Sequence, residues 1–394
     1  MHKITLSTVA IMIMSLDIYA DVNITQETEV NTIANNNFIK NIDGYVRTAY
    51  ENHNVAHDKT YTDAAIGGKL HIESTSYYGV SIGSSFYTSN ALGTSDNRGL
   101  VPFRGKIANS YSILGEAYIQ AQLGNTLIKI GRQEIETPFA QVDDIGIVPN
   151  TFEAYIVKNN DIKDTTLFLG QIQKMAGVDA KMVDGFTRVN GDNNMQVIGI
   201  TYEGIENLNL NAWYYHLKDA EIDNISYIEA NYETQNATMG YGLGVQYSKQ
   251  TYTEQEDASI YGLTASLSHI SSGITLCTAY NKVEGNAITS GFGGGPFFSN
   301  SEYLIIDNAG ANGSQTRFGL EFDGSAVGID GLTLGLSKVI LKNQEKQEST
   351  ELDVVASYEV NKHIEMHMIY SDLDGKNIGE DTAKHLRVFA NYTF

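Results

Sequence analysis

Three sets of residues in this sequence have the types and spacing to do chemistry, and each is decided by the element that carries it. In "HIEMHMIY" (363–370) His363, Glu365 and His367 alternate, so they share one face of a strand and offer a donor set suited to a transition metal. A strand advances about 3.3 Å per residue, which spreads the trio over roughly 13 Å, too far for one ion to hold all three. Lining of a face is therefore expected, with no metal site and no cofactor. Ser266, Ser268 and His269 are as close in sequence as a hydrolytic nucleophile and base, but alternation puts Ser268 and His269 on opposite faces. No catalytic constellation emerges, and the chain is not expected to be an enzyme. "GFGGGP" (291–296) is glycine-rich, yet no Lys-Ser or Lys-Thr follows and no helix pattern begins there, so it reads as a loop and not a phosphate cradle.

What must position such residues is one element used many times. Windows of about ten residues with alternating polarity recur from residue 42 to the end, and no long apolar period of about 3.6 residues intervenes. "EAYIQAQL" (116–123), "YGLGVQYS" (241–248), "TRFGLEF" (316–322) and "ELDVVASYEV" (351–360) are typical. Connections alternate between short ("LGNT" 123–126, "EGIEN" 203–207, "ISSG" 270–273, "VNKH" 360–363) and long (51–63, 88–112, 136–150, 175–193, 250–257, 284–314, 372–384). An all-β, transmembrane antiparallel β-barrel of about 18 strands, with short periplasmic turns and long extracellular loops, has this pattern, and a soluble sandwich has no reason to keep it. Pro102, Pro138, Pro149 and Pro296 all fall in the long segments, where no ladder N–H is needed.

The chain end fits the same architecture. In "HLRVFANYTF" (385–394) Leu386, Val388, Ala390, Tyr392 and Phe394 share one parity, against Arg387, Asn391 and Thr393 on the other. Such a strand needs both edges paired, and closure onto "IDGYVRTAYE" (42–51) supplies the partner. Tyr392 and Phe394 then fall at the periplasmic interface, where aromatic rings suit the lipid boundary. Parity also sorts the charges of the wall. Lys69, His71 and Glu73 share a face, as do Arg317 and Glu321, and Glu351, Asp353 and Glu359, each set opposite apolar residues. A midplane Lys or Arg facing lipid costs about 2–4 kcal/mol, so these charges are expected to line the bore. Arg47 and Arg387 become neighbours on closure, a short basic stripe. Lys129 and Arg132 in "LIKIGRQ" fall on opposite faces, so one of them must reach round, or a bulge must intervene. Lys338 shares parity with Leu332, Leu334 and Leu336, which places it near the outer rim.

Composition is consistent with export. The 394 residues carry a net charge of −21, with 37 Gly, 24 Tyr, 4 Pro and 1 Trp, and no apolar run is long enough for a helical span. Residues 1–20 have the basic start, apolar stretch and small Ala20 of a secretory signal, 21–40 reads as a periplasmic tail, and 41–394 as the barrel. A single Cys277 excludes an internal disulfide, and the lack of a basic patch excludes nucleic acid. A plug-gated transporter needs more than residues 21–40 to close its barrel. The expected function is a passive diffusion channel in the bacterial outer membrane for small hydrophilic solutes or ions. The alternatives are an adhesin or structural barrel whose acidic loops bind host or lipopolysaccharide, and a secreted soluble β-protein. Outer-membrane lipid and lipopolysaccharide are the expected surroundings; the sequence leaves the subunit count open, with a homotrimer carried as an expectation.

The most specific stretch is "GRQEIETPFAQVDDIGIVPNTFEAY" (131–155), and with "GGGPFFSNSEY" (293–303) it resembles the OprD-type outer-membrane porins. The resemblance implies an eighteen-stranded barrel that passes small, often carboxylate-bearing solutes. It implies that Gly131, Arg132 and Gln133 end a strand and lead into a loop, 136–150, that folds into the lumen and forms an eyelet. Thr137, Pro138, Asp143, Asp144, Pro149, Phe152 and Glu153 are the matching positions. An arginine typical of the family after the paired acids is replaced here by Ile145 and Gly146, so the fork that grips a carboxylate is missing from the loop, and mild cation preference is expected. The constriction residues expected on these grounds are Arg132, Asp143, Asp144, Glu153, Arg317, Glu321, Arg47, Lys69 and Arg387. A last strand ending on Phe394 also resembles the signal read by the barrel-insertion machinery of bacterial outer membranes.

Overall fold

Alternation becomes strand wherever one face can meet lipid and the other can meet water or an infolded loop. The computed structural model describes residues 38–56, 60–93, 100, 103–104, 107–108, 110–218, 220–375 and 382–394. The expected signal, 1–20, and most of the expected tail, 21–40, lie outside the described residues. Eighteen strands form the wall. They are β1 (Ile39–Val55), β2 (Thr60–Ser74), β3 (Val80–Ala91), β4 (Tyr111–Leu123), β5 (Thr126–Gln133) and β6 (Thr151–Asn159). Next come β7 (Thr165–Ala176), β8 (Met195–Ile205), β9 (Leu208–Leu217), β10 (Ile222–Gln235), β11 (Met239–Tyr252) and β12 (Ala258–His269). The last are β13 (Ile274–Gly285), β14 (Ser314–Asp323), β15 (Leu332–Lys342), β16 (Glu348–Asn361), β17 (Ile364–Asp374) and β18 (Ala383–Thr393). A two-residue piece, Thr187–Arg188, adds to β7.

Each strand pairs antiparallel with the next, and β18 returns to β1 in a register running from Tyr45↔Thr393 to Val55↔Ala383. The backbone N–H groups of Gly44 and Phe394 each donate to the other's carbonyl, at 3.2 and 3.0 Å, so pairing continues to the last residue. Closure leaves no edge of β1 or β18 unpaired along this register.

Burial is inverted relative to a soluble protein. Ile82, Ile119, Ile198, Leu243, Leu263, Leu276 and Phe318 are exposed on the outer face, while Glu51, Asp63, Gln246, Arg317 and Glu351 are buried inside. This apolar exterior suits acyl chains and rules out the soluble alternative. The core sits inside the bore. One cluster joins Phe139 and Ala140 of loop 134–150, with Phe297, Leu304 and Ile306 of loop 286–313, to Tyr215 and Tyr227 of the wall. A second joins Ile147 and Val148 of the same first loop to Ala49, Ala65, Tyr87 and Phe389. Loop 134–150 therefore packs against two separate parts of the wall.

The alternation of connection lengths is less regular than expected. Residues 51–63 are not a long loop, because β1 runs on to Val55 and β2 starts at Thr60. Residues 51–55 and 60–63 keep strand alternation, with Glu51, Val55 and Asp63 buried, so they extend the wall. At the opposite end, the turn 324–331 is longer than 218–221 at the long-loop end. Loops 92–110, 134–150, 177–194 and 286–313 carry the asymmetry.

Candidate functional site: the loop-narrowed bore

Arg47 stands on the inward parity of β1 between Tyr45 and Ala49, and its side chain is only 11% exposed. Its guanidinium grips Asp144 of loop 134–150 with two parallel bonds, Nη1 to Oδ1 at 2.6 Å and Nη2 to Oδ2 at 2.8 Å. Nη1 also donates to the Gly146 carbonyl at 2.6 Å, and Nε to Asn391 Oδ1 of β18 at 2.7 Å. The hydroxyl of Tyr45 donates to the Ile147 carbonyl at 3.0 Å. Asp143 takes a positive φ of 39°, and its carbonyl accepts the Ile145 N–H at 2.8 Å, which turns the chain towards this clamp. A guanidinium thus reaches the stretch where the loop lacks its own, but it comes from the wall and is occupied by Asp144.

Lys69 on β2 extends the same wall. Its Nζ lies 3.0 Å from Glu116 of β4 and 2.9 Å from Glu134 at the start of the loop. Glu116 also faces Lys129 of β5, at 3.9 Å, and accepts the Ser85 hydroxyl at 2.5 Å, while Tyr87 donates to Glu134 at 2.7 Å. The inward-facing cations of β18, β1, β2 and β5 therefore form a row in which each has a carboxylate beside it.

The second infolded loop, 286–313, is stitched to the wall. Buried Glu351 of β16 accepts the N–H groups of Tyr303, at 3.1 and 3.3 Å to its two oxygens, and of Leu304 at 2.6 Å. Asp353 accepts the Ser301 hydroxyl at 2.5 Å, and Arg317 donates to the Asn300 carbonyl at 2.7 Å. The two loops join each other: Phe292 N–H donates to the Phe139 carbonyl at 2.9 Å, and Gln141 N–H to the Phe292 carbonyl at 3.0 Å. The glycines of "GFGGGP" make this approach possible. A Cβ at Gly291 would meet the Phe139 carbonyl at 2.7 Å, and one at Gly293 the Gln141 carbonyl at 2.6 Å.

At the seam of β1 and β18, Arg387 Nε lies 3.5 Å from Glu51, and its Nη1 3.9 Å from Glu302 of the second loop. Burial pushes the Glu302 carboxyl up to about 7 from an ordinary 4.5, against the pull of Arg387 and Arg317 and with Asp353 adding to the rise. A raised folded-state value means that the docked loop holds this proton longer than a free one. Docking is strongest below the ordinary range, weakens as pH rises, and is constant again once Glu302 is ionised above about 7. Ionisation adds a negative charge beside Arg387, so cation preference is expected to rise between pH 6 and 8, the window centred on the raised Glu302 value of about 7. Reversal potentials across that range check it; a Glu302→Gln channel with the same pH step would assign the effect to another group.

Of the residues expected at the constriction, the structure brings Arg47 and Asp144 together, sets Asp143 beside them in the loop, and places Lys69, Arg387, Arg317 and Glu321 on the inward face. Arg132 and Glu153 do not belong to that set. β5 is paired without a bulge, so Lys129, inward with Tyr118 and Gln120, forces Arg132 outward with Ile130. There Arg132 lies 3.8 Å from Glu153, which in turn binds Lys174 at 2.7 Å, and its guanidinium stacks over Phe186 at 4.4 Å. These residues sit on the outer rim at the long-loop end, where a charge avoids the acyl layer. Lys338 is on the outward parity, opposite Phe318 and Leu352, as expected. Glu116, Glu134 and Tyr87, central to the wall's charge balance, and Tyr303 with Glu302 at the seam were not expected. Glu116 and Tyr87 had a signal, the inward parity of β4 and β3, but the loop residues had none before the loop was seen to fold in.

A closed eighteen-stranded barrel with an apolar exterior and a charged bore narrowed by two loops defines a transmembrane pore. The chain belongs to the OprD family of outer membrane porins, whose family model matches residues 40–394. It is an integral protein of the outer membrane, and small solutes are what such a porin passes. Among solved structures it is similar to Pseudomonas aeruginosa OccK9 (OpdG), with 18% identity, a TM-score of 0.79, and coverage of 91% of this chain and 99% of that one. It is also similar to Pseudomonas aeruginosa OpdK solved with vanillate, at 14% identity and a TM-score of 0.77 over 90% of this chain and 98% of that one. Acinetobacter baumannii OccAB1 matches at 16% identity and a TM-score of 0.74 over 91% of this chain and 98% of that one. No curated protein matches the chain.

Proposed function

We propose that the porin selects among small hydrophilic solutes at an eyelet formed by loop 134–150 against the wall of β18, β1 and β2, with Arg47, Asp143, Asp144, Lys69 and Arg387 setting the charge there. The observation that carries this reading is the two-pronged bond from Arg47 to Asp144, which holds the loop within the bore and cancels one charge of each sign. Transport is passive and follows the solute gradient. The vanillate bound to OpdK is an aromatic carboxylate, but here the guanidinium nearest the loop turn is already occupied, so a small neutral or cationic solute fits better. With the wall cations paired and a net charge of −21, mild cation preference is expected.

Single-channel recording in a planar bilayer tests the proposal. Discrete current steps and a reversal potential of the cation-preferring sign in a KCl gradient are expected, and clear anion preference rejects the charge assignment. Arg132→Ala is expected to leave both unchanged, since Arg132 faces outward. The outer-rim cluster of Arg132, Glu153 and Lys174 supports contact with lipopolysaccharide phosphates, and Phe394, paired to the end of β18, supports recognition by the barrel-insertion machinery.

A further inference from the structure

The expectation of no metal site was drawn from His363, Glu365 and His367 on a single strand. Closure of the barrel creates a different group that no sequence window contains. His53 of β1 and His385 of β18 are direct partners across the seam, and Glu51 is on the same inward face two positions further along the pairing. Among the described residues, one donor atom from each of Glu51, His53 and His385 lies within 4.8 Å of the others. His385 is only 3% exposed, and its Nδ1 is buried with no hydrogen-bond partner. A buried polar nitrogen left unpaired is costly, so this one calls for a ligand. The ring is also held in place: Tyr303 of loop 286–313 stacks on it at 3.7 Å, and the His53 ring packs edge-on at 3.7 Å.

We propose that Glu51, His53 and His385 bind a borderline divalent transition-metal ion, of the Zn²⁺ or Ni²⁺ class, at the long-loop end of the bore. Two imidazoles and a carboxylate suit such ions, whereas Ca²⁺ and Mg²⁺ need oxygen ligands. Bond lengths of about 2.0–2.2 Å put donors on a tetrahedral ion about 3.3 Å apart, so side-chain rotation must close the present gap by up to about 1.5 Å. Arg387 beside Glu51 opposes a cation, but Asp63, the register partner of Glu51 on β2, and Glu302 add two acids to the same neighbourhood. A bound ion fixes the ring on which Tyr303 rests, and so braces the second loop against the seam.

Untagged full-length porin in detergent, titrated with ZnCl₂ by calorimetry, is expected to bind a single ion, and CoCl₂ in its place to give the absorption bands of a low-coordinate nitrogen and oxygen site. Loss of a group that only supports a ligand costs about 10–100-fold in metal affinity, so His53→Ala and His385→Ala, which remove ligands outright, should each weaken binding by roughly a hundredfold or abolish it. His363→Ala and His367→Ala should leave it unchanged, and CaCl₂ should give no heat. Because His385 is buried, heat-modifiable gel mobility checks that each variant is a closed barrel, and His53→Gln provides a milder second change. No binding by the wild-type protein, or wild-type binding in both His53 variants, overturns the site. Binding is read without current, so failure of the conduction experiments leaves this test standing.

Discussion

Arg47→Ala is expected to enlarge the conductance of the channel and to turn it more strongly cation-selective. The substitution removes both bonds to Asp144, the bond to the Gly146 carbonyl and the link to Asn391 of β18. Breaking a buried pair by removing one partner costs about 3–5 kcal/mol, and Asp144 keeps 28% of its side chain exposed, so the lower end applies. About 1.4 kcal/mol is a factor of ten in a population, so roughly two decades of preference for the docked loop are lost. The barrel itself should survive, because the ladder between β1 and β18 is backbone and does not involve this side chain. The loop is not freed throughout: Phe139 and Ala140 remain packed against Tyr215, Tyr227 and Phe297, so the moving part is the stretch around 143–148. Single-channel traces should therefore show conductance raised by about twofold with frequent substates, rather than a fully open bore. The unmasked Asp144 carboxylate accounts for the selectivity change, so Arg47→Ala with Asp144→Ala should keep the larger conductance and bring the reversal potential back towards wild type. A single variant with wild-type current and selectivity would remove the clamp from the description of the eyelet.

The clamp also shows what could be read from the sequence. Arg47 and Arg387 were placed on the inward face by alternation alone, and their nearness by the argument that the last strand must find the first. Both inferences follow from a period of two and the need for closure, which are local and topological facts. The partners were not legible, because Asp144 reaches Arg47 only after a loop leaves its own strands and crosses to another part of the wall. Arg132 shows the complementary failure. Its family motif pointed into the lumen, while the alternation of "LIKIGRQ" left two options, and only the regular pairing of β5 with β4 and β6 decides for the outer rim. His53 and His385 escaped for a third reason: the two belong to opposite ends of the chain, and only closure of β18 onto β1 makes them neighbours.

Glu351→Ala should release the second loop from the wall and is expected to have the next largest effect. Glu351 is fully buried on β16, facing inward opposite Val339, and it holds the N–H groups of Tyr303 and Leu304 through both oxygens. Alanine leaves two buried donors without acceptors, at about 1–3 kcal/mol each. Asp353 still holds Ser301, and Gln315 still donates to the Leu304 carbonyl at 2.6 Å, so detachment should be centred on residues 302–306. Protease added on the long-loop side should cut within 286–313 in the variant and spare the wild type, and conductance should rise with it. Glu351→Gln separates charge from geometry: one acceptor oxygen remains, so cleavage should be intermediate. The two loops meet at Phe139 and Phe292, so freeing one should ease the other. Arg47→Ala combined with Glu351→Ala should then depart from additivity by about 0.5 kcal/mol or more when docking is measured by protection from cleavage. Strict additivity would mean that the loops narrow the bore independently, and that the contact between Phe139 and Phe292 does not couple them.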